Sequence, residues 1–429
     1  MIPFSSSLLD ILFLLSVAVI WMMIVYQLIL TLMGFFYRRL SLKEEEQLRK
    51  HVIDLPGISV LIPMRNEELV IEGTLSSVLS LDYPSEKLEV IVINDGSTDR
   101  TEDIVRRIAD RDSRVKVLSL PVTQVGRGKS RALNEGLKMA SHGFIAVYDA
   151  DNNPEPLCLK HLIRQLLADS KLAAVIGKFR TKNKYRNWLT RFVSIETLAF
   201  QWIVQAGRYK TFKIAILPGT NFIIRRSVLE ECGGWDEKAI TEDSELSVRI
   251  YQKGYRIKFV PYATTWEQEP EQLRVWVRQR TRWVRGNFYV MRKFLRQSLG
   301  FKNKIVAMEL QYLFLLYYLF LVAIVLSHVF FLLSAVGIIA LQVPGPYFAV
   351  WAMAFALFFL EVSLSISYER DARLSDLVYI ALMYFTYCQA WIYVVFRALI
   401  LDYVKKEGSV WDKTERFGEV PVLKQRERG

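Results

Sequence analysis

Residues 57–99 read "GISVLIPMRNEELVIEGTLSSVLSLDYPSEKLEVIVINDGSTD". Two short apolar runs, "ISVLIP" and "LEVIVIN", enclose a stretch whose apolar residues recur at helical spacing, so the segment predicts strand, helix, strand. The pattern then repeats. "TDRTEDIVRRIAD" reads as a helix that Ser97 or Thr98 can cap, "RVKVLSL" as a third strand, "GKSRALNEGLKMAS" as a helix and "GFIAVYDAD" as a fourth strand. Strands apolar on both faces, alternating with helices, imply an α/β fold with a parallel sheet covered on both sides. In such sheets ligands bind at the carboxyl edge of the strands. The strand ends "PMRNEE", "NDGSTD" and "DADNN" are all polar and rich in Asp, Asn or Glu. They suit a nucleotide whose base and ribose are read by carboxylates and amides, with a metal holding its phosphates.

The 429 residues are 52% hydrophobic, unevenly distributed. Residues 8–36 carry Asp10 and Gln27 as their strongly polar interruptions and are long enough to cross a hydrocarbon core of about 30 Å. "MIPFSSS" lacks the basic start of a signal peptide and "GFFYRRL" lacks a small-residue cleavage site, so this run reads as a permanent anchor. Apolar character returns in 305–341, 347–367 and 375–401, about three segments, while the stretch between reads as an ordinary globular mixture. "YRRLSLK" after the first span puts the globular part, 50–270, in the cytoplasm by the positive-inside rule. Three single crossings would then leave the 402–429 tail outside. Lys405, Lys406, Lys413 and Arg416 argue for the inside. The conflict resolves if 305–341 contains a surface helix or an extra crossing, or if 375–401 re-enters.

A net charge of +12 invites a nucleic-acid reading, but the Lys and Arg concentrate beside apolar segments, as in "RVWVRQRTRWVRGNFYVMRKFLRQ". Anionic lipid headgroups and a phosphorylated small molecule account better for that placement, so no nucleic-acid partner is expected. Cys158, Cys232 and Cys388 are odd in number and widely spaced, which points to a reducing compartment and no zinc site. The amphipathic stripes in 271–300 and in 187–205 predict helices lying on the membrane surface, apolar side on the lipid bilayer.

Asp149 and Asp151 in "YDADNN" are two apart just past a strand end, so both carboxylates can reach one cation; oxygen-only ligation suits Mg²⁺ or Mn²⁺ on a diphosphate. "GRGKS" fails as a phosphate loop because Thr123 stands where that pattern requires glycine. Lys129 at the start of a helix can still meet a phosphate. In "AITEDSELSVRIYQKG", Thr241 is placed to cap a helix whose first turn holds Glu242 and Asp243; an aspartate at the mouth of the sheet can take a proton from an attacking hydroxyl.

The ordered set "NDGSTD", "GKSRALNEG", "DAD", "GTNFIIRR", "TED" and "QRTRW", flanked by apolar segments, resembles the processive family 2 glycosyltransferases: the cellulose, hyaluronan, chitooligosaccharide and bacterial poly-N-acetylglucosamine synthases. Over about residues 57–300 the resemblance implies a GT-A (Rossmann-like) domain inserted between transmembrane helices in a bacterial cell membrane, using a UDP-sugar donor and a polysaccharide acceptor. It implies that Pro63, Glu67, Asp95 and Asp149 bind the nucleoside, that Lys129, Gln279 and Arg282 serve the donor's diphosphate end, and that Asp151 with Asp149 ligates the metal. Asp243, beside Glu242, would be the base. Gly219, Thr220, Asn221 and Trp283 would form the acceptor site, Trp283 offering a ring for the sugar. "WDKTER" in the tail looks like the segment that closes over the donor in related synthases, with Trp411, Thr414 and Arg416 in the matching roles. The implied reaction is inverting β-glycosyl transfer that extends an exopolysaccharide and helps translocate it, UDP-N-acetylglucosamine being the first candidate donor. A non-processive transferase that makes a glycolipid, an inactive secretion-channel subunit and the need for an accessory export subunit are left open.

Overall fold

The first helix, α1 (Leu8–Arg49), runs well past the apolar stretch because the residues that follow it, "LKEEEQLR", are strong helix formers. Its C-terminal half is seated on the globular domain by two glycines. A Cβ on Gly34 would stand 2.1 Å from the Trp202 carbonyl oxygen, and one on Gly207 would stand 2.3 Å from that of Leu30, so two helices meet backbone to backbone. The Tyr37 hydroxyl, fully buried, donates to the Phe259 carbonyl at 2.5 Å. The computed structural model describes residues 8–50, 53–121, 126, 128–301, 304–339, 345–369 and 372–405.

The globular domain runs β1 (Ile58–Met64), α2 (Ile71–Leu79), β2 (Leu88–Asn94), α3 (Thr101–Ala109), β3 (Val115–Ser119), α4 (Lys129–Met139), β4 (Phe144–Val147), β5 (Asn153–Pro154), α5 (Cys158–Leu167) and β6 (Leu172–Thr181). It continues with α6 (Trp188–Ala199), a π-helical turn at Phe200–Gln205, α7 (Ala206–Phe212), β7 (Phe222–Arg225), α8 (Arg226–Glu231), α9 (Glu242–Gln252), β8 (Arg256–Glu267) and α10 (Leu273–Ser298). Alternate strand residues feed two cores, as a two-residue period requires. Leu61, Ile91, Ile93, Ile145 and Val147 pack under α4 and α9, while Val60, Ile62, Val90 and Val92 pack under α2 and α5.

The eight strands order as β3-β2-β1-β4-β7-β6-β8-β5. The first four pair in parallel as expected. The sheet as a whole is mixed, which corrects the all-parallel expectation: β7 is antiparallel to both β4 and β6, and β5 to β8. This reversal matters for the site. Phe222 pairs with Val147, so the residues just before β7, Gly219–Asn221, arrive beside the residues just after β4, Asp149–Asp151. Two motifs some seventy residues apart thus meet at one sheet edge.

The predicted α3 cap is also corrected. The Ser97 hydroxyl accepts from the Asn66 N–H (3.0 Å) and the Thr98 N–H donates to the Asn66 side chain (2.7 Å), so both residues tie the β1 and β2 loops together. The Thr101 N–H at the helix start goes to the Asp99 carboxylate instead, at 3.0 Å.

Beyond the domain come α11 (Lys304–Phe314), a π-helical turn at Leu315–Phe320, α12 (Leu321–Ala335), α13 (Tyr347–Ser367), α14 (Ser375–Phe385) and α15 (Tyr387–Leu399), which ends in a π-helical turn at Ile400–Val404. Among the described residues four helical runs are long and apolar enough to cross a membrane: Leu8–Arg49, Lys304–Ser334, Ala349–Ser367 and Ser375–Val404. The last is bent at Thr386 (φ −123°, ψ −74°), and both its ends are tied to the globular side. Asp376 pairs with Arg191 of α6, and Asp402 pairs with Arg285 (3.0 Å) and Arg292 of α10. Contacts of Trp276 with Tyr387 (2.8 Å), Thr281 with Arg397 (2.9 Å) and Arg285 with Asp402 advance together, so α15 lies lengthwise along α10.

This placement corrects the expectation that α6 and α10 rest their apolar stripes on lipid. Phe192 and Ile195 of α6 and Trp276, Val284 and Met291 of α10 are buried in one cluster with Ile380, Met383, Tyr387 and Val394. Leu273, Trp283 and Trp188 stay exposed.

Candidate active site

Lys129 opens α4 directly after Gly128, whose φ of 101° turns the chain into the helix. Its ammonium donates to the Asp149 carboxylate (2.6 Å) and to the Gly219 carbonyl (2.7 Å), and lies 3.5 Å from Glu242. One lysine therefore joins four segments far apart in sequence. Burial alone would lower its pKa, but Asp149, Glu242 and Asp243 outweigh burial and hold the ammonium well above the ordinary lysine value.

Around this knot the backbone is fixed by the residues of "GTN". The Asp149 N–H donates to the Thr220 hydroxyl at 3.0 Å. Asn221, in the left-handed region (φ 50°) and fully buried, donates its amide to the carbonyls of Lys178 (3.0 Å) and Ala263 (3.1 Å). Gly219 has φ +82°, and a Cβ there would stand 3.1 Å from Asp243 Oδ2 and 3.5 Å from Lys129 Nζ. The acidic group of α9 thus occupies space that only glycine leaves. Asp243 is partly buried; its burial, followed by the neighbouring charge of Glu242, pushes its carboxyl up to about 7, against the opposing Ser244 N–H and Lys129. Such a carboxylate is poised to accept a proton near neutral pH.

On the other side of Asp149, Asp95 opens the loop after β2, 4% exposed, and accepts from the Gly126 N–H at 2.8 Å. Burial raises its pKa, against that N–H and Arg65. Since β1 lies between β2 and β4, the carboxylates of Asp95 and Asp149 flank the end of β1, where Pro63 sits in register with Ile93. Glu67 is buried in the loop that follows, its N–H bonded to the Thr101 hydroxyl at 2.7 Å.

Asp151 follows Asp149 in a turn closed by the Asn152 N–H on the Asp149 carbonyl (3.0 Å), and the Asp151 carbonyl accepts from Lys182 (3.1 Å). Among the described residues no three His, Cys, Asp or Glu gather about one point. A cation here would draw two carboxylates from this turn and its remaining oxygens from a diphosphate and water, which fits Mg²⁺ or Mn²⁺ and fits neither zinc nor calcium in an all-protein cage.

The helix that carries "QRTRW" is seated against the start of α9 at Gly286. A Cβ there would stand 2.2 Å from Thr241 Cγ2, so α10 rests against the start of α9. Gln279, Arg282 and Trp283 lie seven, four and three residues before Gly286 and share its helix face. Thr241 does hold the N-cap position, but its hydroxyl makes no capping bond; its side chain seats α10 instead. Trp283 is 39% exposed. Sequence reasoning missed Arg280, which is fully buried between these residues; the signal was an arginine in an otherwise apolar stripe, read as a headgroup contact. Trp411, Thr414 and Arg416 lie outside the described residues.

Residues 56–286 match the family model described as glycosyltransferase like family 2. The chain is 43% identical over 412 residues to a probable glycosyltransferase, YdaM, of Bacillus subtilis, covering 95% of this chain and 98% of that one. It is 32% identical over 269 residues to the poly-beta-1,6-N-acetyl-D-glucosamine synthase of Staphylococcus aureus, covering 63% of this chain and 64% of that one. Among solved structures, a mannosyltransferase of Pyrobaculum calidifontis in complex with GDP-Man and Mn²⁺ superposes with a TM-score of 0.56 at 21% identity, over 90% of this chain and 99% of that one.

Proposed function

The chain belongs to glycosyltransferase family 2, a transferase with the GT-A fold, and on that premise we propose that it moves a sugar from a UDP-sugar onto a growing β-linked polysaccharide at the cytoplasmic face of a membrane. The observation that carries this reading is the knot at Lys129, which brings Asp149, Gly219, Glu242 and Asp243 to one sheet edge, with the helix that carries "QRTRW" packed on the start of α9. Asp95 and Asp149 read the uracil and ribose, with Pro63 and Glu67 at the rim. Asp149 and Asp151 would hold Mg²⁺ or Mn²⁺, which when bound neutralises charge that develops on the departing diphosphate.

Asp243 takes the proton of the acceptor hydroxyl as that oxygen attacks the anomeric carbon. The bond from that carbon to the diphosphate breaks, and its electron pair leaves with UDP. One displacement inverts an α-linked donor to a β-linkage, with no carboxylate nucleophile. Arg282 and Gln279 face the leaving group, and Trp283 offers its exposed ring to the acceptor sugar, with Gly219, Thr220 and Asn221 lining the pocket between.

UDP-N-acetylglucosamine is the first donor to test, a choice supported by the similarity to a poly-N-acetylglucosamine synthase. Export of the product along the membrane helices is supported by the lengthwise packing of α10, which carries Trp283, on α15. The anchoring of both ends of Ser375–Val404 on the globular side supports a re-entrant pair, which returns the chain to the cytoplasm at Lys405, beside α10. A cytoplasmic start of the tail is what a lid formed by Trp411, Thr414 and Arg416 requires.

The test is the full chain in nanodiscs with Mg²⁺ or Mn²⁺ and a panel of UDP-sugars, measuring UDP release and product length. UDP release with one donor and a long product are expected; no UDP release with any donor would end this reading, and a single added sugar would end its processive part.

A further inference from the structure

Arg280 is the arginine of "QRTRW" to which the sequence assigned no role. It is 1% exposed, and a buried guanidinium is tolerated where its charge and hydrogen bonds are matched. Its partners are specific. One terminal nitrogen donates to Glu196 of α6 at 2.7 Å, the other to the side-chain oxygen of Gln279 at 2.8 Å, and Cζ lies 4.0 Å from the ring centroid of Trp283. One planar group thus holds Gln279 by a terminal nitrogen and sits over one side of the Trp283 ring, leaving the opposite side for a sugar. Lysine has neither the plane nor the fork to do both.

Glu196 is in turn fully committed. The oxygen that meets Arg280 also accepts from the Tyr387 hydroxyl (2.7 Å), and the other accepts from the Trp391 indole (2.8 Å). The Tyr387 oxygen accepts from the Trp276 indole at 2.8 Å. Tyr387 and Trp391 belong to α15, Glu196 to α6, and Trp276, Arg280 and Trp283 to α10, spaced four and three apart along one stripe. The network therefore fixes the ring that faces the acceptor to the helix pair in the membrane.

We propose that Arg280 is the positioning residue of the acceptor site, that it sets the orientation of Trp283 and Gln279, and that Glu196 anchors it to α15. The proposal rests on the reading of Trp283 as the acceptor platform. It assigns Arg280 no contact with substrate: its effect on the acceptor passes through Trp283 and its smaller effect on the donor through Gln279.

The test uses the full chain in nanodiscs and the variants Arg280→Lys, which keeps the charge, and Glu196→Gln, which keeps the shape. Hydroxyl-radical footprinting read at Trp283 by mass spectrometry should show the ring modified several-fold faster in both. With the donor that the wild type uses and a short β-linked N-acetylglucosamine oligosaccharide, Arg280→Lys should raise the acceptor KM roughly ten-fold and the donor KM less, and should add nothing to the acceptor KM in a Trp283→Leu background. Unchanged footprints in both variants would overturn the positional claim. A faster footprint with an unchanged acceptor KM, or full additivity with Trp283→Leu, would overturn the role. A wild type that turns over no UDP-sugar would count against the proposed function, and the footprint would still decide where Arg280 holds the ring.

Discussion

Gly286 of α10 and Thr241 at the start of α9 touch so closely that a single added carbon on the glycine would fall 2.2 Å from the threonine methyl. The contact sets the distance between the residue read as the base and the helix that carries "QRTRW". Gly286→Ala must push the two apart, and overpacking of this kind costs about 1–3 kcal/mol. Because a displacement of about 1 Å at reacting groups can cost on the order of 10²-fold in rate, we expect glycosyl transfer to fall by about that factor while the protein still inserts in membranes. Adding Thr241→Ala should restore part of the activity. Steady-state UDP release from the single and double variants checks this.

Lys129 contacts both Asp149 and Glu242. In Lys129→Met these acids, with Asp243, lose the charge that compensates them, and breaking a buried pair costs about 3–5 kcal/mol. A lower thermal midpoint is expected. Lys129 also lowers the Asp243 pKa, so the acid limb of the pH–rate profile should move to higher pH in this variant. A profile that stays in place would show that Lys129 and Asp243 are not electrostatically linked.

The pH dependence of the wild type follows from Asp243. Its carboxyl is raised to about 7 by burial and by Glu242, and a base works only when deprotonated. The value of kcat/KM should therefore rise with pH through about 7 and level off above it. The sign is opposite for a general acid, so a rate that falls through the same window would reassign the group.

Lys405 is the last described residue and follows the turn that ties Asp402 to α10. A cysteine at this position should react with a membrane-impermeant maleimide after permeabilisation and not in intact cells. Labelling from outside would place the tail away from the donor and would remove the basis for a lid at Trp411, Thr414 and Arg416.

Much of the fold was legible because the first four strands and their helices are encoded by local periodicity, and the polar strand ends marked where Asp95, Asp149 and Asp151 would gather. The antiparallel entry of β7 was not, since strand order depends on pairings between distant segments; yet that reversal is what sets Gly219–Asn221 beside Asp149. The stripe on α10 was read correctly as apolar but not as covered, because Trp276, Val284 and Met291 give the same pattern whether lipid or α15 lies against them. Lys129 reads in the sequence as a phosphate ligand at a helix start, and nothing short of its three-dimensional neighbours reveals that it bridges Asp149, Gly219 and Glu242. Arg280 stayed hidden for a similar reason: an arginine in an interfacial helix looks the same whether it faces headgroups or Glu196.

The central claim is that Asp243 is the base of a UDP-sugar transferase, and the most direct test is transfer by Asp243→Asn in nanodiscs beside the wild type, with donor affinity measured in the same samples. Loss of a general base costs about 10²–10⁴-fold, so turnover should collapse by that factor while donor binding and membrane insertion persist. Transfer at the wild-type rate would contradict the account.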